Sequence, residues 1–190
     1  GSVRYDIDSR LANDNNSYLY GGGSVSFMAS KLIDAPWLNF WKIRGSMAQV
    51  GSTLSAYNIY PTYTVGTKTH GLTTMYEPNT QVNAAIKPTI STSFEVGTEF
   101  KLFGNRLSGD INIYRKDTQN DIISANVLPQ SGYAYRKLNA GMVRNQGVEV
   151  SLGGTPVRTR DVEWTLSGNI TKNRNKLVRL APDQTDYTIY

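Results

Sequence analysis

Residues 92–112 read TSFEVGTEFKLFGNRLSGDIN. Phe94, Val96, Phe100 and Leu102 alternate with Glu95, Gly97, Glu99 and Lys101, so apolar and polar side chains fall on opposite faces of an extended chain. Gly104-Asn105 supplies a tight turn, because both residues tolerate positive φ. Beyond it Leu107, Gly109, Ile111 and Ile113 alternate with Ser108, Asp110, Asn112 and Tyr114. The period of two on both sides of the turn predicts a β-hairpin with one apolar face and one wet, charged face.

Working outward, the same unit recurs. Val3, Tyr5 and Ile7 alternate with Arg4, Asp6 and Asp8, and Val25, Phe27 and Ala29 with Ser24, Ser26 and Met28. Trp41, Ile43, Gly45 and Met47 oppose Lys42, Arg44 and Ser46; Val148, Val150 and Leu152 oppose Gly147, Glu149 and Ser151. A last strand sets Trp164, Leu166, Gly168 and Ile170 against Thr165, Ser167, Asn169 and Thr171. Gly21-Gly22-Gly23 weakens the start of the second strand and marks a bend or bulge. Residues 50–90 and 117–142 show no period, and 153–161 reads as a turn. Loops of that length are expected to be functional.

Composition agrees with many short strands. Gly 17 and Tyr 12 accompany only 39% hydrophobic residues, which suits β structure rich in turns. No run of eighteen apolar residues exists, which excludes a transmembrane helix but not a transmembrane strand of about 9–11 alternating residues. The opening GSVRYDID reads as strand rather than as a secretory leader. Without Cys there is neither a disulfide frame nor a thiolate metal site. The net charge of +5 raises nucleic-acid binding. The cations are scattered singly, however, and the densest group (Lys172, Arg174, Lys176, Arg179) reads as a solvated polar segment after the last strand.

Two regularities bear on architecture. Long connections follow strands three, five and seven, whereas those after two, four and six are short. In an antiparallel meander this gathers the large loops at one end, the asymmetry of an outer-membrane barrel. Trp37, Phe40, Trp41, Phe100, Phe103 and Trp164 lie near the short turns, and Tyr18, Tyr20 and Tyr114 near the loop end. Two aromatic girdles bounding an apolar band would sort in this way. The competing reading is a soluble β-rich carbohydrate-binding or adhesion module, which explains the alternation but neither the loop parity nor the aromatic sorting.

The residues themselves carry a resemblance. LNFWKIRGSMAQVGS holds K-x-R-x-S-x-x-Q-x-G, IKPTISTSFEVGTEF holds K-P-x-x-S-x-x-x-E-x-G, and a Y-x-K-x-T-like strand end follows. N-A-G-x-x-R-N-x-G-V-E and W-x-L-S-x-N with a Lys/Asn-rich tail complete the series. In this order they resemble later barrel strands of the SusC/RagA-type TonB-dependent transporters of Bacteroidota, over about residues 3–180. The resemblance implies a cell outer-membrane location (Gram-negative) and a 22-stranded antiparallel up-and-down transmembrane β-barrel. It also implies short periplasmic turns, long extracellular loops, an N-terminal plug, and nutrient uptake of glycans (oligosaccharides) or peptides energised by the TonB complex. A SusD-like surface lipoprotein would lid the mouth. Seven strands do not close such a barrel. Residues 1–190 are therefore expected to be part of the barrel domain of a larger transporter, with the plug and remaining strands outside the chain.

No catalytic constellation emerges, so the chain is expected not to be an enzyme and to need no cofactor or metal. Glu95 and Glu99, four residues apart on one strand face, stand roughly 13 Å apart, beyond the roughly 5–9.5 Å separations of glycosidase carboxyls. They suit a lumen wall, as do Lys42, Arg44, Asp110, Arg144, Asn145 and Glu149, with cross-strand pairing as the simpler role. Gly21-Gly22-Gly23 lacks the strand-to-helix setting of a phosphate loop. In the long loops Tyr57, Tyr60, Tyr63, His70, Tyr76, Tyr133 and Tyr135 are the candidates for stacking sugars or meeting a partner protein, since tyrosine offers large contact area at low entropic cost.

The alternation also assigns faces. Phe94, Val96, Phe100, Ile111, Ile113, Val148, Val150, Trp164 and Leu166 are expected to meet lipid. Glu95, Glu99, Asp110, Asn112, Glu149, Thr165 and Asn169 are expected to meet the lumen.

Overall fold

The computed structural model describes residues 1–53, 55, 59–139 and 141–179. Twelve strands follow one another: β1 Ser2–Ile7, β2 Ser17–Met28, β3 Leu38–Ser52, β4 Thr64–Thr69, β5 Leu72–Tyr76, β6 Thr80–Gln81, β7 Thr89–Leu102, β8 Leu107–Gln119, β9 Ile122–Asn126, β10 Tyr135–Asn139, β11 Met142–Arg158 and β12 Glu163–Arg179. Seven of them form one antiparallel sheet in the order β1-β2-β3-β7-β8-β11-β12, the meander read from the sequence. The sheet is open, with β1 and β12 at its edges.

Register carries the alternation across strands. Gly45, Val96, Ile113 and Val148 are successive cross-strand neighbours, and so are Ser46, Glu95 and Tyr114 one step along. One face is therefore apolar from β1 to β12 and the other polar, because the side-chain period is two and no pair slips by one residue within this band. The two shifts in the β11–β12 ladder lie at its ends; one falls beside Pro156, which has no N–H to give to a ladder.

The apolar face meets no second layer among the described residues. Val25 is 75% exposed, Val96 60% and Ile170 74%. The buried apolar residues lie off the sheet: Leu11, Ile59, Ile86 and Ala125 in the loops and Ala29 by a turn. A sandwich would bury this face against another sheet, so the described fold is a single-layered wall rather than half of a packed core.

Several elements exceed what the period reveals. β2 starts at Ser17, β11 runs into the expected turn as far as Arg158, and β12 continues to Arg179. The segment holding Lys172, Arg174 and Lys176 is thus strand, paired with β11, and not a solvated loop. Nor are the long loops featureless. β4 and β5 form a hairpin, and β6 and β10 pair in parallel within a three-stranded sheet that joins the two loops. Between β7 and β8, Phe103, Gly104 and Asn105 all take positive φ (55°, 66° and 65°). Phe103 thus joins the expected Gly104-Asn105, and the Asn39 side-chain oxygen accepts from the Gly104 N–H at 2.7 Å.

Candidate functional site

The polar face of the wall and the loop layer at one end of it form the candidate site. The wall is organised by Arg44. It projects from β3, passes over Gly97 of β7 and reaches Asp110 of β8, where Nη1 and Nη2 donate to the two carboxylate oxygens at 2.7 and 2.8 Å. That crossing needs a glycine. A Cβ at Gly97 would stand 2.8 Å from Arg44 Nε and 2.9 Å from Asn112 Oδ1. Tyr114 repeats the device two strands on: its ring lies over Gly147 of β11, where an added Cβ would come within 2.6 Å of the hydroxyl oxygen. Such aromatic covering of a strand glycine restores packing that the missing side chain forfeits.

The polar face carries Lys42, Arg44, Glu95, Glu99, Asp110, Asn145 and Glu149, in keeping with the register. Arg44 engages Asp110 rather than either glutamate, and among the described residues no ion pair holds Glu95, Glu99 or Glu149. Asn145 Oδ1 is buried with no hydrogen-bond partner among the described residues. Arg144 does not belong with them. It is one residue from Asn145, so the pleat sets it on the face of Val148 and Val150. There its Nε donates to Asp117 Oδ1 at 2.7 Å. Phe40 departs in the other sense. It lies on the polar face, with the Lys101 ammonium 5.8 Å from its ring centroid, rather than among the outward aromatics, and Tyr114, expected in the loop-end girdle, shares that polar face in the row of Glu95.

The loop layer is tied together by backbone-directed bonds. Asn139, at the end of β10, accepts from the Lys87 N–H and donates to the Lys87 carbonyl, both at 2.9 Å, and donates also to the Asn120 carbonyl at 2.9 Å. Ala134 and Tyr135 N–H groups both donate to the Asn79 carbonyl. At the foot of the layer Thr53 donates to Asp8 at 2.6 Å, and Asp8 also accepts from Arg10. The Arg10 guanidinium, helped by the Thr53 hydroxyl and opposed by burial, holds the Asp8 carboxyl well below the usual carboxylate range.

These bonds give physical sense to the sequence motifs. Arg44 of K-x-R meets Gly97 of E-x-G, Tyr114 of Y-x-K meets Gly147 of N-x-G-V-E, and Asn139 of N-A-G clamps Lys87 of K-P. Gly97, Tyr114 and Asn139 were not among the predicted site residues, since each acts through a neighbour distant in sequence.

The loop candidates are spread over this layer. Tyr60 and Tyr63 are exposed before β4, and His70 stands exposed in the β4–β5 turn at φ 53°. Tyr76 of β5 lies against Gly66, while Tyr133 precedes β10 and Tyr135 opens it. Tyr57 lies outside the described residues. The stacked pair among the described residues is instead Tyr18 and Tyr20, with centroids 5.7 Å apart; Tyr20 also donates to Asp6 at 2.6 Å.

The family described as TonB dependent receptor-like, beta-barrel, matches residues 1–188. TonB-dependent receptor P3 of Formosa agariphila is 26% identical over 99% of this chain and 19% of its own length. TonB-dependent receptor SusC of Bacteroides thetaiotaomicron is 30% identical over 56% of this chain and 11% of its own. Among solved structures, the RagAB peptide importer in its closed-closed state superposes with a TM-score of 0.86 at 25% identity, over 98% of this chain and 21% of that one. The chain thus spans about a fifth of the relatives it matches along its whole length. The soluble-module reading falls away, and the location is the outer membrane. The chain belongs to the TonB-dependent receptor β-barrel family.

Proposed function

We propose that this chain forms one sector of the wall and mouth of an importer that takes up oligosaccharides or peptides, driven through TonB. A SusD-like surface lipoprotein covers the extracellular mouth. In this reading the apolar face meets lipid, the Arg44–Asp110 face lines the lumen, and the loop layer stands outside the cell. The observation that carries it is the pairing of β6 with β10, which welds both long loops into one platform at a single end of the wall. The likeness to RagAB, a peptide importer, supports peptides as one substrate class, and the lipoprotein partner is what the SusC/RagA resemblance of the strand motifs implies.

The β4–β5 hairpin is a separate two-stranded sheet and takes no part in the β6–β10 pairing. Deleting residues 64–76 from the full-length transporter is expected to leave barrel folding intact, since surface loops tolerate shortening, while lowering uptake or lipoprotein association. Heat-modifiable migration reads folding, and co-purification of the lipoprotein reads docking. Docking and uptake both unchanged would remove the hairpin from the proposed mouth.

A further inference from the structure

The outward face is not uniform at its loop end. β8, β11 and β12 place Arg115, Arg144, Lys172, Arg174 and Lys176 there, in register with one another. A single acid, Asp117, accompanies them, and it is already engaged by Arg115 at 2.6 Å and Arg144 at 2.7 Å. Among the described residues no acid pairs with Lys172, Arg174 or Lys176. The corresponding positions on β3 and β7 are neutral. Met47 and Phe94 continue the row of Arg115 and Arg174, and Gln49 and Thr92 that of Arg144 and Lys176. The charge is therefore confined to one sector of the wall.

It also abuts the apolar band directly. An open recess of about 730 Å³ has Val96, Ile113 and Val148 on one side and Arg115, Lys172 and Arg174 on the other. Such a surface fits a ligand with an anionic head and an apolar body. Cations whose methylene stems run along apolar surface present their charge at the headgroup level of a bilayer. A substrate in the lumen has no access to this face, and a small anion would leave the apolar half of the recess unused.

We propose that this sector binds a phosphorylated glycolipid of the outer leaflet, of the lipid A type, with the cations on its phosphate and Val96, Ile113 and Val148 against its acyl chains. The assignment rests on the reading of the apolar face as lipid-facing and of the loop end as extracellular.

The test uses the full-length transporter in phosphatidylcholine nanodiscs doped equally with lipid A and with dephosphorylated lipid A. Lipid retained after extraction is read by native mass spectrometry. The wild type is expected to keep the phosphorylated form by about fivefold or more over the other. Lys172→Gln with Arg174→Gln should bring that ratio close to one. Lys101→Gln with Lys116→Gln, the same charge removed from the opposite face, should leave it unchanged. Equal retention of the two glycolipids by the wild type overturns the proposal whether or not any variant folds. An equal loss in the opposite-face variant overturns it as a mere net-charge effect, and displacement by millimolar inorganic phosphate overturns the lipid assignment in favour of a free-anion site. A nitroxide at position 150 separates the two readings. Access to a water-soluble nickel complex sinks the lipid-facing assignment itself, whereas oxygen access with a ratio of one sinks this inference alone.

Discussion

In the wall, Val96, Ile113 and Ile170 stand more than half exposed with no layer packed on them; in the loop layer, Ile86 is fully buried and Ala125 is 1% exposed. The loops thus hold a small core of the kind found in water-soluble proteins. The larger sheet hides its apolar face nowhere within the described chain. A face left open to water forfeits roughly 1.5–3 kcal/mol for each large apolar side chain, so the wall is built for an apolar solvent and the loop layer for an aqueous one. The two regions also cohere differently: long backbone ladders hold the wall, whereas in the loops short ladders such as β6–β10–β9 are reinforced by side chains that bond to backbone, Asn139 above all.

The largest test of that contrast is to remove the apolar solvent. Residues 1–190 expressed alone in water are expected to give no stable monomer, because β1 and β12 present unpaired edges and the apolar face has no cover. Size-exclusion chromatography and thermal melting without detergent check this; a monodisperse, cooperatively melting monomer would erase the contrast. Next in size, Ile111→Arg or Val150→Arg should cost about 2–4 kcal/mol in bilayer-reconstituted transporter if the site lies near the midplane. Asn112→Arg, one residue from Ile111 on the other face, should be nearly neutral. Urea unfolding from vesicles measures both, and equal costs would mean the faces are not differently solvated.

Smaller again, Asn139→Ala removes three hydrogen bonds and should destabilise the loop layer by about 1–3 kcal/mol. Faster proteolytic nicking of the loops with unchanged heat-modifiable migration is the expected result, and a loss of barrel folding would show that the layers are not independent. The smallest effect concerns acid. The Asp8 carboxyl titrates lower in the folded protein than in the unfolded chain, so its contribution is complete above an unfolded value of about 3.9. It is lost as pH falls from there through the lower folded value. A spin label at Ser9 should therefore keep its mobility from neutral pH to about pH 5 and loosen only below the ordinary carboxylate range. With Asp8→Asn it should be loose throughout. Loosening that begins near neutrality would assign the change to another group.

Much of the wall was legible in the residues. Period-two alternation located all seven strands of the sheet and sorted Val96 from Glu95 and Ile113 from Asn112, because a pleated strand turns each successive side chain to the other face. Loop parity followed from spacing alone. The strand ends did not. Above the apolar band both faces turn polar, so the alternation fades while the backbone ladder continues, and β12 runs on to Arg179 past the expected end of the strand. Likewise the R-N pair of the motif invites a lumen reading for both Arg144 and Asn145, although neighbours on a strand cannot share a face.

Composition, period and spacing thus determined by themselves that this chain is an antiparallel meander with one apolar face, one polar face and its large loops at one end. These are local properties, set by each residue's own backbone and immediate neighbours. Only the tertiary structure decided that Arg44 crosses Gly97 to Asp110, that Asn139 locks Lys87, and that Lys172, Arg174 and Lys176 join Arg115 and Arg144 on the outward face. Each of these juxtapositions links residues at least twenty-four positions apart, and strand register, summed over every intervening turn and bulge, sets which of them meet.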